Sequence, residues 1–176
     1  MVDQPIVLQL PQSHTPPENP LPIQQSDFII IGTVIDSRAF VTNDKTAIYS
    51  EFDIKVEQII KKVFQSNSPD TLITVERVGG YVRFPSGMKQ KRGELGHNLP
   101  QKNKTYIFFL KLNTDGEDFL ILTGYEIQGQ QVYPLDGLKR PNPKVFRGYE
   151  QFKNTNLNSF LSNLQILLTN PSQGRY

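Results

Sequence analysis

DFIIIGTVID (residues 27–36) and SEFDIKVEQIIKK (residues 50–62) are the stretches that decide the fold. Phe28, Ile29, Ile30, Ile31, Val34 and Ile35 form a run too apolar for a strand with one face in water, so both of its faces must be covered. Gly32 interrupts the run, and an isolated glycine inside a strand marks a bulge or a sharp bend. Asn43-Asp44-Lys45 is a turn signal. Beyond it, Phe52, Ile54 and Val56 alternate with Glu51, Asp53, Lys55 and Glu57, which places one face inward and the other outward. Val56, Ile59, Ile60 and Val63 also fit a 3.6-residue period, so a helix is the competing reading. The β-branched residues and the alternation favour a strand, with room for a turn of helix near residues 59–63. A buried strand followed by a long alternating one is how a small closed β-barrel begins.

The rest of the chain continues in short strands. Residues 71–78 alternate through Ile73 and Val75 until Gly79-Gly80 breaks the pattern. Residues 81–84, the turn Pro85-Ser86-Gly87 and residues 88–92 read as a hairpin with a basic return strand. Residues 105–112 are a second buried run, and Asp115-Gly116 is a hairpin turn leading into residues 119–123. Gly124, Tyr125, Gly129 and Val132 predict one more short, bent strand, after which residues 134–148 are turn-rich. Leu157, Phe160, Leu161, Leu164, Leu167 and Leu168 form one stripe of a helix within residues 155–169. Thr155 or Asn156 can cap its start, and Asn170-Pro171 ends it. This spacing predicts a mainly β fold: a five- or six-stranded barrel of the oligonucleotide/oligosaccharide-binding (OB) type, with the C-terminal helix plugging the barrel or its open edge. An open β-sandwich is the alternative. Residues 1–26 are expected to be a flexible tail, because Pro5, Pro11, Pro16, Pro17, Pro20 and Pro22 with polar spacers favour extended, unpacked conformations. Residues 27–170 are then a single domain.

Composition removes several classes of function. The 176 residues contain no cysteine, so disulfides, zinc–thiolate sites and thiol nucleophiles are excluded. With 19 basic and 17 acidic residues, the formal net charge of +2 gives no global pull toward nucleic acid or an anionic membrane. No apolar run approaches the roughly 18–20 residues that cross a bilayer, so no membrane insertion is expected. The first residues lack the basic start and apolar core of a secretory signal. The proline-rich start nevertheless resembles the leading segment of an exported protein after its signal peptide has been removed. An extracellular or periplasmic location is therefore expected, with a cytoplasmic one as the alternative.

Few residues can carry chemistry. Of the two histidines, His14 lies in the tail and His97 in the loop Gly93-Glu94-Leu95-Gly96-His97. A Glu94–His97 pair in a loop is the only candidate for general acid–base work, and solvated loop residues are the simpler reading. Ser86 sits in a turn, not a strand-to-helix elbow. Gly79-Gly80 lacks the spacing of a phosphate loop. Residues 113–118 hold only half the ligand pattern of a calcium loop. No cofactor or metal is expected. Tyr125, Tyr133 and Tyr149 either line a groove or pack the helix onto the sheet. The strongest candidate is a basic ligand-binding stretch: Arg77, Tyr81, Arg83, Phe84, Lys89, Lys91 and Arg92, with Lys102 and Lys104 as neighbours. Cations and exposed aromatics together track polyanions and stack bases, whereas lysines on an exposed strand edge also serve simply to prevent aggregation.

The succession DFIIIGTVID, YSEFDIKVEQIIKK, ITVERVGG, TYIFFLKL and LTGYEIQGQQVYPLDG resembles a group of uncharacterised bacterial exported proteins. These in turn resemble the barrels of the tissue inhibitors of metalloproteases and netrins, which share the OB-type fold. The likeness covers residues 27–137. In those inhibitors a disulfide-anchored N-terminal cysteine supplies the inhibitory groups; this chain has none, so that mechanism does not carry over. The expectation is a non-enzymatic binding module of the cell envelope or exterior, with a protein or glycan partner. Binding of single-stranded nucleic acid through the basic hairpin and hydrolysis at the His97 loop are the alternatives.

Overall fold

A computed structural model describes residues 21–64, 71–93, 96–114, 118–137 and 150–169. The strands are β1 (Phe28–Val41), β2 (Ile48–Lys62), β3 (Leu72–Val78), β4 (Gly80–Arg83), β5 (Lys89–Arg92), β6 (Thr105–Leu112), β7 (Phe119–Gln128), β8 (Gln131–Pro134) and β9 (Thr155–Asn156), followed by helix α1 (Leu157–Thr169). The main sheet runs β3-β2-β1-β6-β7-β8-β9. A parallel pairing of Val75 with Phe119 and Glu76 with Leu120 joins β3 to β7, so the five long strands form a ring of ladders. β6 returns after a long connection to lie beside β1, the Greek-key order. β4 and β5 form a separate two-stranded sheet.

The two all-apolar runs become β1 and β6, and their burial on both faces has a simple origin. Phe28, Ile30, Val34, Phe108 and Leu110 face a core inside the ring, together with Phe52, Ile54, Ile73 and Val75. Ile29, Ile31, Ile107 and Phe109 face the opposite way, into a second core completed by Phe160 and Leu164 of α1. The helix therefore covers the outer face of β1, β6 and β7 rather than plugging an opening of the ring. Burying each such side chain contributes roughly 1.5–3 kcal/mol, enough to hold a short helix that has no acidic first turn or basic last turn. Asn156 caps it, its Oδ1 accepting from the amide nitrogens of Asn158 and Ser159 at 3.0 and 3.4 Å.

The helix-like spacing at the end of β2 comes from bulges. β1 and β2 lose register between Ile29 and Ile30 and between Ile31 and Gly32, so Ile60 and Glu57 are extra residues on β2. Each bulge shifts the inward phase, which converts a two-residue period into spacings that mimic 3.6. The strand continues to Lys62 with no turn of helix. Gly32 is where the β1 backbone must approach its neighbour. A Cβ there would lie 2.5 Å from Ile54 Cγ2 and 3.0 Å from the Lys55 carbonyl oxygen.

Packing begins upstream of the expected boundary at Asp27. Leu21 and Ile23 are buried in the outer core, and Lys61 Nζ donates to the Ile23 carbonyl at 2.7 Å. The rest of the proline-rich segment, residues 1–20, lies outside the described residues, as do residues 65–70, Glu94, Leu95, residues 115–117 and residues 138–149.

Candidate binding face

β4 and β5 pair Gly80 with Arg92, Tyr81 with Lys91, Val82 with Gln90 and Arg83 with Lys89. Directly opposed residues share a face, so Tyr81, Arg83, Lys89 and Lys91 stand together and Gly80, Val82, Gln90 and Arg92 stand on the reverse. All four of the first set are exposed. The reverse side lies against the β1–β2 hairpin. Gly80 is seated so closely that a Cβ would meet Ser50 Oγ at 2.7 Å and Ile48 Cγ2 at 2.8 Å. Arg92 Nη1 donates to the Thr46 carbonyl at 2.8 Å. The sequence makes this hairpin in a simple way: Gly79 (φ 110°) leaves the β3 ladder, and Pro85-Ser86-Gly87 turns the chain, with Gly87 N donating to the Phe84 carbonyl at 2.9 Å.

The face carries uncompensated charge. Arg83, Lys89 and Lys91 form no ion pair among the described residues. The contrast with the outer face of β1–β3 is sharp. There Arg38 binds Glu51 at 2.7 Å and Asp53 at 3.0 Å, and these carboxylates, Glu51 foremost, hold its guanidinium above the ordinary arginine pKa. Lys102 Nζ sits 2.9 Å from Asp36 and holds that carboxyl below the usual range. Lys104 pairs with Glu126 at 2.9 Å, so neither lysine joins the hairpin face.

Arg77, read from sequence with this basic stretch, is elsewhere. It is buried, and Nη2 donates to Asp136 Oδ1 and Oδ2 at 2.7 and 2.8 Å. Asp136 also accepts from Thr123 Oγ1 at 2.7 Å and from Asn98 N at 3.1 Å, while Arg77 Nη1 is buried without a hydrogen-bond partner. Asn98 Nδ2 donates to the Leu135 and Gly137 carbonyls at 2.9 and 3.1 Å. The cluster thus ties two loops to the end of β3. Its signal in the sequence was parity: Ile73 and Val75 face inward, so Arg77 two residues on does too. Nothing in the sequence marked Asp136, Thr123 or Asn98 as its partners.

Phe84 is half-buried at the turn, with its amide nitrogen donating to the Met88 carbonyl at 2.9 Å. Arg92 faces the β1–β2 loop. Of the predicted set, the fold therefore brings Tyr81, Arg83, Lys89 and Lys91 onto one face. Tyr125 packs against Phe109, Phe152 and Phe160 in the outer core, its ring centroid 4.8 Å from that of Phe160, and Tyr133 donates to Gln131 Oε1 at 2.9 Å. Tyr149 lies outside the described residues. His97 is exposed in its loop, and its sequence neighbour Glu94 is outside the described residues. Among the described residues no group of three or more His, Cys, Asp or Glu converges as metal ligands, and no helix is long and apolar enough to cross a membrane. No family model, curated protein or solved structure matches this chain.

Proposed function

We propose that this chain is a non-enzymatic binding module acting at the cell envelope or exterior, and that the β4–β5 face holds an anionic region of a protein or glycan partner. The observation that carries this reading is the convergence of Arg83, Lys89 and Lys91 beside exposed Tyr81 with no counter-charge. Three like charges on one small face repel one another, and an anionic partner relieves that repulsion. The scaffold reading rests on the strand order. Five strands with order β1-β2-β3-β7-β6-β1 and Greek-key connectivity fit a small OB-type barrel, in keeping with the resemblance to the metalloprotease-inhibitor and netrin barrels. The inhibitors' cysteine chemistry forms no part of the proposal, since the chain has no cysteine.

Single-stranded nucleic acid is the weaker occupant. Such sites stack successive bases on several aromatic side chains, and Tyr81 is the one aromatic within this face. Hydrolysis at the His97 loop is the other alternative, and the exposed position of His97 in that loop lends it less support than the hairpin face lends to binding.

The test is a calorimetric titration of the whole chain with a glutamate-rich peptide, a sulfated oligosaccharide and an unstructured oligonucleotide. Saturable, salt-sensitive binding of the peptide or the oligosaccharide, weakened by joint Lys89→Glu and Lys91→Glu substitution, is expected. Binding indifferent to that charge reversal contradicts the assigned face. Turnover of a substrate lost in a His97→Ala variant contradicts the non-enzymatic reading.

A further inference from the structure

We infer that the partner held by this face is an acidic polypeptide segment that adds to the hairpin as a third strand; the inference rests on the β4–β5 face being the binding face. Three observations lead to it. The first is the backbone. β4 and β5 make a sheet of two strands only, and among the described residues no backbone hydrogen bond runs from Tyr81, Val82, Arg83, Lys89, Gln90 or Lys91 to any other element. A strand edge with free N–H and C=O groups is a template for another chain. A polysaccharide or a nucleic acid cannot complete a backbone ladder, whereas a peptide can.

The second observation is the spacing of the charge. Lys89 and Lys91 lie two residues apart on one strand, and Arg83 stands opposite Lys89. Residues two apart on a strand project about 6.6 Å apart on the same face, and an added strand lies about 4.8 Å away. A peptide with Asp or Glu at alternate positions places its carboxylates at that period beside the cations, where opposite charges across strands attract. The third is that the basic residues stop the hairpin from pairing with just any edge. Lysines on an open strand repel another copy of themselves and discourage indiscriminate sheet extension, so the edge selects an occupant of opposite charge.

The experiment uses the whole chain at low salt and a short synthetic peptide alternating glutamate and threonine. Companion probes are the same peptide N-methylated on alternate backbone amides, in each of the two registers, and a sulfated oligosaccharide. The alternating peptide is expected to bind, with about tenfold loss on Lys89→Glu with Lys91→Glu, reflecting two attractions turned into repulsions. N-methylation in one register is expected to abolish binding, because it removes the donors of the ladder while leaving every carboxylate. Equal affinity for both N-methylated peptides overturns strand addition. Binding of the oligosaccharide alone overturns the peptide partner but leaves the face intact. Failure of all probes, with folded protein verified by its amide spectrum, overturns the face itself and the inference with it.

Discussion

Truncating Asp136 to alanine is expected to be among the most damaging single changes in the molecule. Its carboxylate accepts four hydrogen bonds, two from Arg77 Nη2 at 2.7 and 2.8 Å, one from Thr123 Oγ1 at 2.7 Å and one from Asn98 N at 3.1 Å. The Arg77 side chain is 4% exposed and that of Asp136 0%, so Asp136→Ala strands a guanidinium in the interior. Breaking a buried pair by removing one partner costs about 3–5 kcal/mol. At a few degrees per kcal/mol for a chain of this size, the melting temperature should fall by about 6–20 °C. Arg77→Met should cost less, because the remaining carboxylate keeps Thr123 Oγ1 and Asn98 N as donors. Since Arg77 Nη1 already lacks a partner, the double replacement Arg77→Met with Asp136→Leu should cost less than the sum of the single changes. Urea unfolding of the four proteins gives these values directly. A loss under about 1 kcal/mol for Asp136→Ala, the range of an exposed ion pair, would show that Arg77 reaches water and would refute the reasoning. Partner binding should be unchanged in a folded Arg77→Met protein, because Arg77 is not on the hairpin face.

Gly32→Ala should lower the urea midpoint by an amount equivalent to about 1–3 kcal/mol, as overpacking does, because the new methyl meets a backbone oxygen that cannot move freely. Asp44 is held down to about 2 by Thr42 Oγ1 first, and then by the Thr46 amide and hydroxyl. Its folded pKa lies below the ordinary 3.8, so its contribution is full above pH 4 and is lost as pH falls toward 2. Carboxyl chemical shifts followed through acid titration should show this midpoint, and Thr42→Ala should raise it. Burial pushes the Tyr106 phenol up to about 12 from 10. That group therefore stabilises the fold fully below pH 10 and loses its contribution as pH rises toward 12. In ultraviolet titration the Tyr106→Phe variant should show one phenol fewer ionising near pH 12 than the parent chain.

Much of the architecture was legible because burial on two faces leaves a strong mark. Residues 28–31 and 106–110 admit no polar alternation, and only a strand sandwiched between two cores tolerates that. The hairpin was legible from Pro85-Ser86-Gly87 and the basic return strand. Three features were not. Gly32 signalled the bulge that falls opposite it at Glu57, but no residue signalled the second at Ile60, so the end of β2 imitated a helix. Leu21 and Ile23 sit among prolines, and their burial depends on a surface supplied by Ile29, Ile31 and α1. Arg77 carried a charge that drew it into the exposed set, although its inward parity outweighs composition once Asp136 offers a buried partner. Within the candidate face, strand register alone joined Tyr81 to Lys91 and Arg83 to Lys89, and register is what a sequence with an unambiguous turn conveys best.

The most direct measurement is a map of backbone amide chemical shifts during titration of the whole chain with the alternating acidic peptide. The assigned binding face predicts shifts concentrated at Tyr81, Val82, Arg83, Lys89, Gln90 and Lys91, vanishing when Lys89 and Lys91 are reversed to glutamate. Shifts centred instead on the β1–β3 outer face around Arg38, Glu51 and Asp53, or no shifts at saturating peptide, would contradict it.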